Sequence, residues 1–344
     1  MTDHKESEKE KELNELFRGN LNNNTFKRTV RKAKMITILR NIVITLFVVS
    51  FLVIVLGFSW LSIMRWNQEN AMRDVELFSR ITDPNVEELG VQNMGNGLFE
   101  GILIFERYKE IEGIPVNWSD EVATYSIFGG VSRLTGDHTP IQLTDEKDGQ
   151  ERYYDRDTKQ RIMQFYHPEV TYNSVRDDLN NLNNFTDETQ VEMAISFEEK
   201  FTPEEVRNFI PENVTLEWYW ADTYTNLDVI EEIDNEVDQI PAFPELATQV
   251  YGFEHLTNTP DNPSQSEEEF IEDIKTGFSI EDGKYFGEFQ RIYNYIKGES
   301  STLSADSVKV LGVVVTGTAA ELKILNDSDL IRASVLGVTA DSIK

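Results

Sequence analysis

The sequence contains no cysteine among its 344 residues and only four histidines, at His4, His138, His167 and His255. The absence of thiols excludes disulfide bridges, cysteine-ligated zinc and a cysteine nucleophile. The histidines stand far apart, and no two of them have the spacing of paired metal ligands. A lone histidine in a loop is typical of a structural or solvated side chain. The sequence therefore predicts neither a metal nor a cofactor.

Motifs of catalysis are equally scarce. No Gly-x-Ser-x-Gly turn is present, and the segment GVVVTGTAAE lacks the Gly-Lys-Ser/Thr of a phosphate-binding loop. We interpret this segment as a strand, a turn and a helix cap. Carboxylates are numerous enough to lie close by chance, so they do not indicate a glycosidase pair. Trp218 and Trp220 alternate on a predicted strand, which favours core packing over a sugar platform. We predict that the protein is not an enzyme.

Positive charge is also scarce, with 32 Lys and Arg against 61 Asp and Glu and a formal net charge of −29. The basic residues are concentrated just before a long apolar run, Asn41–Met64, which has no charge over 24 residues. As a helix this run would be about 36 Å long, enough to cross a hydrocarbon core of about 30 Å. Six basic residues and no acidic one precede it from residue 26 onward: Lys27, Arg28, Arg31, Lys32, Lys34 and Arg40.

This charge asymmetry predicts the orientation of the span. Basic segments stay in the cytoplasm, so we expect a cytoplasmic N-terminus and an extracytoplasmic C-terminal part in the cell membrane. Trp60 and Trp66 suit the outer interface. A cleaved signal peptide is the alternative, but the run is too long and no small-x-small cleavage site follows it. A buried core helix would carry a polar stripe, which this run lacks. The sequence predicts a single-pass membrane protein.

The two sides of the span differ in charge. Residues 1–64 hold ten Lys and Arg against six Asp and Glu, whereas residues 65–344 hold 22 against 55. The basic cytoplasmic tail, residues 1–40, is expected to lie against anionic lipid of the inner leaflet. The acidic outer part should repel nucleic acid, which we exclude as a partner.

The tail also contains a short amphipathic pattern that places Leu13, Leu16 and Phe17 on one helical face. A tail of 40 residues is too small for a hydrophobic core of its own. We therefore identify these three side chains as candidate partner-binding residues. The alternative is that the same face rests on the inner leaflet beside the basic residues.

Past the span, residues 65–84 are predicted to form a helical stalk, in which Met72, Val75, Phe78 and Ile81 recur three residues apart. A first extracytoplasmic lobe is predicted at residues 85–180. It should contain strands within 98–111 and 121–134 and a hairpin whose turn is Asp155–Lys159. A polar, Asn-rich stretch near 168–189 is expected to separate it from a second lobe at residues 190–344.

The second lobe begins and ends with a βαβ pattern. Val191, Met193, Ile195 and Phe197 alternate, which predicts a half-buried strand. Thr202 and Glu205 have the spacing of a capping box at the start of a helix, and a strand is predicted to follow it. The last pattern consists of strand 308–316, helix 318–325 and strand 329–336. We predict an α+β fold whose C-terminal lobe is a ferredoxin-like sheet, covered on one face by helices, with a helical insertion at 267–298.

Four segments resemble the membrane-anchored sigma-factor regulators, or anti-sigma factors, of Gram-positive bacteria. They read FKRTVRKAKMITILRNI from residue 26, ILIFERYKEIEGIPVNWSDEVATYSIFGG from 102, VEMAISFEEKFTPEEVRNFIPENVTLEWYWADTY from 191 and VLGVVVTGTAAELKILNDSDLIRASVLG from 310. The resemblance covers about residues 26–130 and 190–338. It implies N-terminal and C-terminal regulator domains outside one membrane span. Many such proteins grip the sigma factor with a larger zinc-binding inner domain, which this cysteine-free tail excludes.

The resemblance implies a non-enzymatic regulator of an extracytoplasmic-function sigma factor, or an accessory of one, which transmits an envelope-stress signal from the outer lobes to the tail. The implied partner is the sigma factor, bound by one tail helix, or a second membrane regulator that binds it instead. The alternative is a membrane-anchored surface binding module with no role in transcription. A third class, an envelope hydrolase, would require turnover by the isolated fragment 85–344.

Overall fold

The computed structural model describes residues 11, 23–133, 139–145, 149–227, 242–256, 262 and 264–341. The chain divides into two units, Met1–Ile63 and Met64–Lys344, which we describe separately. The α+β class is confirmed, because one long apolar helix is followed by β-sheets and shorter helices.

Helix α1, Asn23–Ser79, accounts for all the secondary structure described in residues 23–63. The side chains of its apolar run are exposed: Leu46 is 61% and Phe47 is 72% accessible. In water such a surface would be costly, whereas in lipid a helix satisfies every backbone amide internally. Among the described residues α1 is the one helix long and apolar enough to cross a membrane, which fits a single-pass anchor.

The last turns of α1 belong to the second unit and pack into it. Met64, Ala71 and Val75 are almost completely buried, and Phe78 is 9% exposed. These positions lie on one face of the helix because they are three, four or seven residues apart. The helix ends at Ser79, and Ile81 is buried in the turn that follows. The predicted stalk residues are thus helical as far as Ser79, and their apolar face is a core face.

The first sheet of the second unit is antiparallel. Its order is β1-β2-β4-β5, with β3 paired to the other end of β2. Side chains of β2 alternate between the exposed and the buried face along the strand. The strands predicted in 98–111 and 121–134 are confirmed. The strands are β1 Glu87–Asn96, β2 Glu100–Ile111, β3 Ile114–Asn117, β4 Glu121–Ser126 and β5 Val131–Arg133.

The second unit also contains two small sheets, one of three strands and one of two. The predicted hairpin is confirmed, since β7 and β8 pair across the turn that begins at Asp155. The Asp155 carboxylate accepts hydrogen bonds from the backbone amides of Asp157 and Thr158, which fixes the turn. A second pair joins β9 to β12. The strands are β6 Ile141–Thr144, β7 Glu151–Tyr154, β8 Arg161–Ile162, β9 Gln164–Phe165 and β12 Glu245–Leu246.

The second sheet has five strands in the order β13-β11-β14-β10-β15, and all neighbours are antiparallel. Strands β10 and β11 therefore run parallel with β14 between them, and β14 and β15 run parallel with β10 between them. The strands are β10 Gln190–Phe201, β11 Thr215–Ala221, β13 Gly252–Glu254, β14 Val310–Thr318 and β15 Ile331–Ala340.

Helices form the crossovers and the insertion of this sheet. The capping box predicted at Thr202 and Glu205 is confirmed at the start of the first crossover helix. A second capping box, Thr318 with Glu321, starts the other crossover, which continues as a 3₁₀ turn at Lys323–Asp327. Two helices fill the predicted insertion. The helices are α2 Pro203–Phe209, α3 Gln265–Ser279, α4 Phe286–Lys297 and α5 Ala319–Leu322.

Both faces of the second sheet are covered. On one face, α1, α3 and α4 contribute Phe78, Phe270 and Ile292 to a core. On the other face, Trp218 and Trp220 pack with Phe165, which confirms that these tryptophans are core residues. The prediction of a half-buried strand at 191–197 is wrong, because every residue of that stretch is buried. Most of the residues that cover the second face lie between Ile111 and Tyr172, far from this strand in the sequence, which local alternation does not reveal.

The stretch 168–189, predicted to separate two lobes, is packed against the second sheet. Leu179 and Leu182 are buried in its core, and Asp177 forms a bridge with Ser334 of β15. Residues 64–344 form one compact unit by their contacts. The division into lobes at 85–180 and 190–344 remains a prediction.

Candidate functional site

The basic residues predicted to set the membrane topology all lie on α1. Each of them is exposed, and so is every other described side chain from Phe26 to Ser59. No acidic residue occurs in the sequence between residues 26 and 68, so the positive charge has no counter-charge nearby along the helix. The predicted partner-binding residues Leu13, Leu16 and Phe17 lie outside the described residues.

A buried ion pair joins the first sheet of the second unit to the second sheet. The Lys109 ammonium on β2 lies 2.7 Å from Oε1 of Glu192 on β10, and these two residues are 1% and 0% exposed. Lys109 also donates to the carbonyl of Pro84 at 3.1 Å and lies 4.5 Å from the ring centre of Trp118. A charge removed from water is tolerated only when it is paired and hydrogen-bonded in this way.

Besides the Lys109 ammonium, the Glu192 carboxylate accepts hydrogen bonds from two other parts of the chain. Its Oε1 also accepts a hydrogen bond from the Asn85 side chain at 2.8 Å. Its Oε2 accepts one from the backbone amide of Val338 on β15 at 3.0 Å. The carboxylate therefore holds together the turn after α1, the first sheet and two strands of the second sheet. We call Asp83, Asn85, Arg107, Lys109 and Glu192 the charge junction.

Arg107 completes the charge junction on the side of the first sheet. Its guanidinium lies 3.2 Å from Asp83 and 3.3 Å from Glu121, and it is 8% exposed. Asp83 and Asn85 both have a φ of 54°, in the left-handed region where Asp and Asn are the best-tolerated non-glycine residues. The turn that ends α1 is thus held in an unusual backbone conformation by charged partners on two sheets.

A cleft of about 650 Å³ opens beside the charge junction. Asp83, Arg107 and Trp118 line it, together with side chains of both signs such as Asp155 and Lys284. A small polar ligand in this cleft would touch the junction directly, because Asp83 and Arg107 belong to both. Among the described residues no group of His, Cys, Asp and Glu could hold a metal ion.

A second, smaller cleft of about 320 Å³ next to the same turn is acidic. Burial raises the pKa of Glu217, and the carboxylates of Glu112 and Glu192 raise it further. The pKa values of Glu88 and Glu254 are also raised, first by burial and then by neighbouring carboxylates. Thr316 lies 2.6 Å from Glu217 and can donate a hydrogen bond to it, which partly offsets the cost of burying its charge.

A cluster of polar and aromatic side chains packs against the face of the second sheet that contains Trp220. Burial raises the pKa of Glu245 to about 7, although the carboxylate accepts a hydrogen bond from Tyr224. Burial also lowers the pKa of His167 to about 4. The His167 ring packs edge-on against Tyr224 and Trp220. This histidine is therefore a buried neutral core residue.

The charge junction was missed from the sequence, although a signal for it exists. Alternate residues of β2 from Leu103 to Ile111 face the core, and Arg107 and Lys109 fall on that face. Charged side chains at core positions indicate buried partners. The partner Glu192 could not be identified, because it lies 83 residues away in the sequence.

Two family models match the chain. The model described as sigma factor regulator N-terminal matches residues 27–116, from the basic segment of α1 to β3. The model described as sigma factor regulator C-terminal matches residues 182–338, which contain the second sheet and its helices. Together they cover more than two thirds of the 344 residues. No curated protein and no solved structure matches the chain.

Proposed function

Because the chain belongs to the sigma factor regulator family, whose members regulate sigma factors, we propose that it does so by transmitting a signal across the membrane. In this proposal the second unit is extracytoplasmic and receives the signal, α1 crosses the membrane once, and the N-terminal tail acts on the sigma factor or on a second membrane regulator. We also predict, from the resemblance to regulators of Gram-positive bacteria, that this protein comes from a Gram-positive bacterium.

The observation that carries the topology is the position of the basic residues on α1. They lie directly before an exposed apolar run that has no charge for 24 residues. Cytoplasmic loops are enriched in Lys and Arg, and anionic lipid of the inner leaflet attracts each such residue by about 1 kcal/mol. We therefore place residues 1–40 in the cytoplasm, with the basic cluster on the inner leaflet.

We propose that the outer lobes, 85–180 and 190–344, receive the signal near the charge junction. The cleft beside it shares Asp83 and Arg107 with the junction, so a ligand there would compete for the partners that hold the turn after α1. We further infer that the second sheet is of the ferredoxin-like, split βαβ kind. The support is its strand order, in which each crossover joins two parallel strands across one antiparallel strand.

At the other end of the protein, we propose that Leu13, Leu16 and Phe17 dock in a partner's groove. A helix this short is marginal in water, so it would form when it binds. Burial of Leu16 and Phe17 would contribute about 1.5–3 kcal/mol each before ordering costs. This is enough to order one helix, and it requires no zinc site in the tail.

The topology is tested by cysteine labelling in whole cells, since the natural chain has no cysteine to interfere. Ser7→Cys is expected to be shielded from a membrane-impermeant thiol reagent, and Ser300→Cys is expected to react. Both variants should label after the cells are permeabilised. The opposite pattern in intact cells would refute the orientation.

The action of the tail is tested with Leu16→Asp combined with Phe17→Asp, which is expected to derepress the target sigma regulon at unchanged protein level and membrane insertion. Asn22→Asp with Asn23→Asp is the matched control for added negative charge. An unchanged regulon, together with a tail that captures no sigma factor in a membrane crosslinking pull-down, would favour the surface-module alternative.

A further inference from the structure

One edge of the second unit exposes large apolar side chains that the core does not use. Phe128 is 88% exposed, Leu98 74%, Met94 62% and Phe99 59%. The rings of Phe99 and Phe128 are stacked on each other, with centroids 6.5 Å apart and planes inclined by 11°. We call these four residues the apolar tip. Single exposed apolar residues need no explanation, but two exposed aromatic rings stacked on each other, with two more exposed apolar side chains within five residues of Phe99, indicate an interaction surface.

The apolar tip lies beside the first turn of α1 in the second unit. The Asn67 side chain donates to the carbonyl of Ser126 at 2.7 Å, and Phe128 is two residues further on. The Gln68 side chain accepts from Asn93 at 2.9 Å, and Met94 is the next residue. These contacts fix the tip against residues 67 and 68 of the helix.

Residues 67 and 68 follow closely on the end of the apolar run. They are three and four residues beyond Met64, which corresponds to about 5–6 Å along the helix axis at the α-helical rise. Trp66, on the same turn, is 59% exposed, and tryptophan is enriched where a helix leaves the hydrocarbon core. Asn93 and Ser126, which adjoin the tip in the sequence, therefore contact the helix within about one turn of the point where the apolar run stops.

The chain around the tip is also free of charge, unlike the rest of the unit. Residues 89–99 contain no Asp, Glu, Lys or Arg, and neither do residues 125–132. Elsewhere the unit is densely charged, because residues 65–344 carry 55 acidic and 22 basic side chains. A surface that meets lipid must be free of charges whose desolvation would oppose binding, and this edge meets that condition.

From these observations we propose that the apolar tip inserts into the interface of the membrane that α1 spans, on the side of the second unit. This inference rests on the single-span anchor in the proposed function. It assigns the tip to lipid rather than to a second copy of the chain or another membrane protein. The first sheet is then held at the membrane surface by Phe128 and its neighbours as well as by the helix.

The test uses the full chain, since its lack of cysteine lets a single label be placed anywhere. Phe128→Cys, Ile324→Cys and Phe47→Cys are each labelled with an environment-sensitive NBD fluorophore. The proteins are reconstituted at a low protein-to-lipid ratio into phosphatidylcholine and phosphatidylglycerol vesicles with or without a doxyl-labelled lipid quencher. Ile324 is the matched control, because it is an apolar residue of the second unit that is 56% exposed. Phe47 reports the span itself.

Quenching at position 128 is expected to approach that at position 47 and to exceed that at position 324 several-fold, with a blue-shifted emission. Quenching at 47 with none at 128 would overturn the inference and leave the proposed anchor intact. A blue shift at 128 without lipid quenching would mean that a second copy covers the tip, which also overturns it. No quenching at 47 would refute the anchor and the inference together.

Discussion

The buried pair of Lys109 and Glu192 offers the sharpest test of how the second unit is held together. Replacement of Lys109 by Met keeps the length of the side chain and removes its charge. Glu192 then remains 0% exposed with two neutral donors, the side chain of Asn85 and the amide of Val338. A carboxylate left buried without its cation costs about 3–5 kcal/mol of folding free energy.

The reverse substitution and the double variant separate charge from shape. Glu192→Gln leaves the Lys109 ammonium buried without an anion, since the Pro84 carbonyl, the Trp118 ring and the new amide oxygen are all neutral, so it should destabilise by a similar amount. Combining Lys109→Met with Glu192→Gln removes both charges, and the Asn85 amide can rotate to match the new donor. We expect the double variant to be more stable than either single variant, because an uncompensated buried charge is absent.

The measurement is urea denaturation of the full chain in mild detergent, followed by tryptophan fluorescence. Lys323→Met is the matched control, since Lys323 pairs with Asp187 at 2.9 Å but on the surface. That loss should stay below about 1 kcal/mol. If Lys109→Met costs no more than Lys323→Met, or if the two substitutions at the junction are simply additive, the pair does not hold the sheets together.

Three further predictions concern the same unit. Because burial raises the pKa of Glu245 from 4.5 to about 7, its carboxyl binds a proton more tightly in the folded state, and its contribution to the free energy of unfolding falls by about 3 kcal/mol between pH 4.5 and 7. Glu245→Gln should therefore gain stability relative to the parent as pH rises through this window, and a constant difference would contradict it. Gly312→Ala should destabilise by about 1–3 kcal/mol in urea denaturation, because the new Cβ would lie 2.3 Å from the backbone oxygen of Ile195, whereas Gly287→Ala, which meets no atom within 4 Å, should be nearly neutral. The fragment 190–344, which retains every strand of the second sheet, is expected to unfold cooperatively on heating. Its transition should lie at a lower temperature than that of the full chain, because the fragment lacks the residues before 190 that pack on both faces of the sheet. The absence of a cooperative transition would show that the predicted lobe cannot fold alone.

The elements that could be predicted from the sequence are those specified by neighbouring residues. The capping box of Thr202 and Glu205 and the hairpin turn at Asp155 are examples, because both partners of each interaction lie within three residues. The βαβ patterns at the two ends of residues 190–340 were likewise visible in the alternation and in the helix caps. The spacing of apolar residues along the sequence indicates which face of a helix or strand is apolar. Here it is sufficient to distinguish helices from strands.

The features that could not be predicted depend on residues far apart in the sequence. The alternation at Val191–Phe197 correctly indicates a strand, but a half-buried strand would expose Glu192 and Ser196, which are 0% and 1% exposed. They are buried because residues between Ile111 and Tyr172, together with Ala247 and Val250, cover that face. The charges of Lys109 and Glu192 compensate each other only when the unit is folded. The sequence near either residue therefore shows no more than a charged side chain at an inward-facing position of a strand.

If the protein transmits a signal as we propose, the free energies of its ion pairs indicate which of them could take part. To move a two-state equilibrium from 1:99 to 99:1, a ligand must favour one state by about 5.5 kcal/mol. A surface ion pair such as Lys323 with Asp187 is worth less than about 1 kcal/mol and could not support such a change. Disrupting the buried pair of Lys109 and Glu192 costs about 3–5 kcal/mol, which would supply most of that amount. Since the turn after α1 depends on this pair through Asn85, an envelope ligand that alters the charge junction would change what holds the end of the helix that leads to the tail.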